Sequence, residues 1–129
     1  MSVADVEILR AACCVTGLDA QIKDAERAVL QRLADNAGVG AVSLQAMIDR
    51  AKRDPNFYQE QFRFVHADPS AAMTSILGAA VSDGALTADE RVILQHFAQK
   101  LGLKPEKFEQ LLATAERYIE KRRDASDPV

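Results

Sequence analysis

The chain has no tryptophan and only seven other aromatic residues, five Phe and two Tyr. A platform for stacking nucleobases needs more exposed rings than that. It also lacks a basic region. Residues 1–64 carry 8 basic and 9 acidic side chains, and residues 65–129 carry 8 and 10, for a net charge of −3. No half of the molecule is suited to track a phosphate backbone, so nucleic acid is excluded as the expected partner. Apolar runs stop after a few residues, far short of the roughly 20 needed to cross a bilayer. The start, Met1-Ser2-Val3-Ala4-Asp5-Val6-Glu7, is acidic where a secretory leader would be basic. The two cysteines, Cys13 and Cys14, are neighbours. A bridge between adjacent helical positions is strained, so they read as reduced thiols and the protein as cytoplasmic. Nucleophile elbow, P-loop, dinucleotide fingerprint, zincin motif and zinc-ligand spacing are all missing. The EF-hand loop and the Glu-x-x-His pair of di-iron bundles are missing too. These gaps point away from an enzyme.

What remains is helical spacing. Ile8, Leu9, Ala12, Cys13 and Thr16 share one face of a helix over 3–17. Val29, Leu30, Leu33, Ala34 and Ala37 do so over 24–37. Ala72, Met73, Ile76, Leu77, Ala80 and Val81 do so over 69–81, and Ile93, Leu94, Phe97, Ala98 and Leu101 over 88–101. Further helices are predicted over 44–53 and 106–122, and a short one over 55–66 that ends at His66. Asp54-Pro55 and Asp68-Pro69 each combine an acidic N-cap with Pro at the first helical position. Thr87-Ala88-Asp89-Glu90 is a capping box, and Gly38 and Gly102 stand where left-handed caps are expected.

A repeat underlies this order. Sliding residues 17–39 by 64 positions onto 81–103 needs no gap and gives seven identities: Asp19/Asp83, Glu26/Glu90, Arg27/Arg91, Leu30/Leu94, Gln31/Gln95, Ala34/Ala98 and Gly38/Gly102. The same offset pairs Leu9 with Met73, Cys13 with Leu77, Leu44 with Phe108 and Ala51 with Ala115. The expected fold is all-α. It has about seven helices: repeat one over 3–53, a linker helix over 55–66 and repeat two over 69–118, packed as a pseudo-two-fold bundle. A flexible tail is expected over 124–129, outside a single domain of residues 1–123.

In each repeat an Asp and a Glu stand seven residues apart across a helix–loop–helix: Asp19 with Glu26, and Asp83 with Glu90. The second copy, Asp83-Gly84-Ala85-Leu86-Thr87-Ala88-Asp89-Glu90, follows the pattern D-G-x-hydrophobic-(S/T)-x-x-E. Over roughly residues 5–118 the chain resembles the TerB-like family, which includes tellurite-resistance proteins and the N-terminal part of DjlA-type co-chaperones. The resemblance implies a helical, internally two-fold domain tied to stress responses. It also implies an acidic patch that binds a divalent cation or a basic protein partner. The family's acidic positions fall on Asp83 and Glu90 and their counterparts Asp19 and Glu26, with Asp89 and Asp24 as flanking acids. The first copy departs from the pattern, with Ala20 for the Gly and Lys23 for the capping hydroxyl. No His-Pro-Asp triplet occurs, so J-domain activity does not carry over.

A plainer reading stands beside this one. Glu26 and Glu90 are helix caps, and a helix N-terminus attracts anions rather than cations. The function is then that of a structural adaptor or homodimer module that uses an apolar face and no ion. His96 pairs with Arg32 at the repeat offset and is expected on a solvated face. Cys13, paired with Leu77, is expected in the core as an inert thiol. Cys14, paired with Gly78, is expected to be either tightly packed or partly exposed.

Overall fold

A computed structural model of the protein describes residues 3–17, 23–54, 64–82 and 86–126. Six helices and no strand occur among them: α1 (Val3–Thr16), α2 (Asp24–Ala37), α3 (Ala41–Arg53), α4 (Pro69–Ala80), α5 (Ala88–Lys100) and α6 (Pro105–Ser126). The fold is all-α, as the spacing predicts. Residues 55–63, the bulk of the predicted linker helix, lie outside the described residues. Its expected last turn is not helical: residues 65–67 form a bend.

The helix ends follow local chemistry. Asp68 caps α4 by accepting the Ala71 N–H at 3.0 Å, with Pro69 at the first helical position, where no N–H is needed. Gly38 (φ 73°) and Gly102 (φ 78°) close α2 and α5 in the left-handed region. There a Cβ would cost about 1–2 kcal/mol. Each closure returns the next N–H to the helix: Val39 to the Ala34 carbonyl at 2.8 Å, and Leu103 to the Ala98 carbonyl at 2.9 Å. Helix α3 begins at Ala41, ahead of the predicted 44, because Ala41, Val42 and Ser43 form an exposed first turn with no apolar register. Helix α6 runs on to Ser126 through a segment rich in Glu, Lys and Arg, all good helix formers.

Helices α1 and α4 form the centre. They pack on each other; α2 and α5 each lie against both, α3 covers α1 and α2, and α6 covers α4 and α5. Small side chains let the central pair sit deep. Ala11, Ala12, Cys13 and Cys14 on α1 and Ala72, Ala79 and Ala80 on α4 are all buried. One apolar cluster joins Leu9, Ala12 and Cys13 to Leu30, Ala34, Leu44 and Ile48. The other joins Ile8, Ala11, Cys14 and Val15 to Met73, Ile76, Leu77, Leu94, Phe97, Phe108 and Leu112. Helix α1 therefore serves both clusters, one with each side. Each large buried aliphatic side chain contributes about 1.5–3 kcal/mol.

Candidate functional site

Two helix N-termini carry the predicted acids. At α5, Thr87 is extended (φ −78°, ψ 163°), its Oγ1 accepts the Glu90 N–H at 3.1 Å, and Glu90 Oε1 accepts the Thr87 N–H at 3.0 Å. This is the reciprocal cap predicted from sequence. At α2, Lys23 holds the same backbone geometry (φ −71°, ψ 159°), and Glu26 Oε1 accepts its N–H at 3.3 Å. Lysine has no side-chain acceptor, so only that half of the box forms.

Both glutamates are buried, Glu26 at 0% and Glu90 at 1% exposure. A carboxylate is tolerated at such depth only where donors and the positive end of a helix dipole face it. Their neighbours Asp24 and Asp89 are exposed. Asp19 and Asp83 lie outside the described residues. The structure thus brings Asp24 to Glu26 at one helix start and Asp89 to Glu90 at another. It does not bring the two starts together through a main interface, because α2 and α5 pack on α1 and α4 rather than on each other. Among the described residues, no three His, Cys, Asp or Glu side chains converge as a metal would require.

The cysteines are buried and free of a bridge. Burial, reinforced by the neighbouring Cys14, pushes the Cys13 thiol up to about 12. Burial also pushes Cys14 up to about 12; Arg10 and Lys100 oppose the shift and Asp54 adds to it. Both are neutral thiols at physiological pH and poor nucleophiles. His96 is half-buried rather than solvated, and burial followed by the Lys100 charge lowers its pKa.

One polar centre escapes the sequence reading. Glu7, 8% exposed, reaches from α1 across the molecule to the bend before α4. Its carboxylate accepts the backbone N–H groups of Val65 at 2.9 Å, His66 at 3.0 Å and Ala67 at 3.0 Å, and Oε2 lies 3.5 Å from His66 Nδ1. Burial alone would raise the pKa, but the three N–H donors and the imidazole contact outweigh it and the net shift is downward. The available signal was an acid four residues before Ala11 and seven before Cys14, on an otherwise inward stripe.

No helix among the described residues is long and apolar enough to cross a membrane. Comparison with protein-family models, with curated proteins and with solved structures finds no match to the chain.

Proposed function

We propose that the chain is a non-enzymatic binding module of the TerB-like class, built from two three-helix repeats. The acidic starts of α2 and α5, with Asp19 and Asp83 ahead of them in sequence, bind a divalent cation or a basic protein surface. The observation that carries this reading is the buried glutamate at the same register of both halves, each flanked by an exposed aspartate, Asp24 or Asp89. Two further features support the repeat. Helix α1 packs on α5 as α4 packs on α2, and Gly38 and Gly102, 64 residues apart, close their helices in the same way.

Burial divides the labour among the described acids: Glu26 and Glu90 hold the helix starts rigid, while the exposed Asp24 and Asp89 supply charge. Asp19 and Asp83, ahead of them in sequence, add to that charge in this reading. A titration tests it. Ca²⁺, Mg²⁺, Mn²⁺ or Zn²⁺ at a hundredfold excess over Kd should stabilise the protein by about 2.7 kcal/mol. The Asp19→Asn/Asp83→Asn variant, which leaves the caps intact, should lose that gain. The basic-surface form of the reading predicts binding of an oligolysine peptide that the same variant abolishes. The proposal fails if no ion raises the melting temperature and the peptide does not bind.

A further inference from the structure

Helices α1 and α3 do not close completely on each other. Between them lies a cleft of about 420 Å³, within the size range of small-molecule sites. Its apolar wall is made by Cys13, Cys14, Met47 and Ala51, with Ala46 at the side, and two guanidinium groups, Arg10 and Arg50, complete the lining. Both arginines are exposed residues.

The described charges in the wall of this cleft are cationic. With both thiols held neutral, Arg10 and Arg50 are the charged groups among the described residues of the lining. Of the surrounding groups, Asp54 at the end of α3 and Lys100 at the end of α5 act electrostatically on Cys14 with opposite signs. Fold geometry does not demand the arginines. Sixty-four residues on, Arg10 and Arg50 correspond to Thr74 and Thr114, and Cys13 and Met47 to Leu77 and Leu111. The cationic, small-walled version belongs to the first half alone.

We propose that this cleft is a binding site for a small amphiphilic carboxylate. The carboxylate sits between Arg10 and Arg50, and a short hydrocarbon body lies over Cys13, Cys14, Met47 and Ala51. Guanidinium forks match a planar carboxylate in two-pronged hydrogen bonds. Polarisable sulfur and methyl groups accept an alkyl chain without demanding one shape. A singly charged head suits the site better than a dianion, since Asp54 stands near and the protein already carries −3. The inference is independent of the acidic helix starts.

Octanoate is the probe. Titrated into the full chain labelled with ¹⁵N, it should shift the amides of residues 10–14 and 46–51 and raise the melting temperature. Octanol, which has the body without the charge, should bind about tenfold or more weakly, the equivalent of one charge-assisted contact. Acetate and inorganic phosphate, which have the charge without the body, should leave those amides unmoved. Arg10→Gln and Arg50→Gln, both at exposed positions, should each weaken octanoate about tenfold. Asp83→Asn should not change it. The proposal is overturned if octanoate leaves these amides unmoved at millimolar concentration, if octanol binds as well as octanoate, or if the double arginine variant still binds it normally. Saturation of the same amides by inorganic phosphate would overturn it as well.

Discussion

The halves α1–α3 and α4–α6 share a pattern of apolar positions and fill it with side chains of different size. Cys13 and Leu77, 64 residues apart, are both buried. So are Leu44 and Phe108. Leu33 is half-buried, whereas its counterpart Phe97 is fully buried and meets Phe64 edge-on, with centroids 5.5 Å apart at 90°. Gly17 and Val81 differ in the same sense. A Cβ on Gly17 would come within 2.9 Å of the Cys13 carbonyl oxygen and 3.0 Å of Ala51 Cβ. The second half is thus filled by bulk. The first half is drawn together by small residues and leaves a cleft beside them. One binary pattern supports both, because burial fixes which positions are apolar but not how large each side chain must be.

Truncation at paired positions is the strongest way to break this comparison. Leu77→Ala should cost about 3 kcal/mol, because it removes a fully buried side chain from the larger cluster and leaves a cavity. Cys13→Ala removes one heavy atom at the matching position and should cost about 1 kcal/mol. Urea unfolding at neutral pH measures both. Equal losses would mean that the halves are filled alike and that the size difference carries no energy.

Glu7 joins the halves, and its removal comes next in size. Glu7→Ala leaves three backbone N–H groups without their acceptor and should cost about 2–3 kcal/mol. The loss should depend on pH. The folded-state pKa is lowered from its ordinary value of 4.5, so the contribution is fully present above that value and disappears as pH falls through the folded value. Thermal melts between pH 7 and pH 3 should therefore show wild type and Glu7→Ala converging in acid. A gap that stays constant with pH would place the effect in packing instead of charge.

The same contrast explains what could be read from the chain in advance. Helix α2 spans 24–37 as its spacing predicts, and the caps at Asp68, Thr87, Gly38 and Gly102 form where their residue types demand. Each of those signals is local, contained within a few residues. Glu7 was not legible because its partners are backbone groups 58 to 60 residues away, and backbone leaves no mark in composition. The cleft was hidden for a related reason. Arg10 and Arg50 look like two ordinary solvated charges until α1 and α3 are set side by side. Of the six acids singled out, the burial of Glu26 and Glu90 separates them physically from Asp24 and Asp89, a distinction that the spacing alone could not make.

The two helix starts offer the smallest and cleanest comparison. Thr87 and Lys23 hold nearly the same backbone angles, and a glutamate three residues on accepts the N–H of each. The difference is one hydroxyl. Thr87→Ala should cost about 1 kcal/mol, the usual worth of an N-cap acceptor. Lys23→Thr should recover about 0.5–1 kcal/mol by giving the Glu26 N–H a side-chain acceptor like the one Glu90 has at 3.1 Å. The gain cannot exceed the loss, because Lys23 gives up its own contacts when replaced. If Lys23→Thr yields nothing while Thr87→Ala costs its full share, the two starts differ by more than the hydroxyl. The longer 3.3 Å reach of Glu26 would then reflect a helix start shaped for something other than a tight cap.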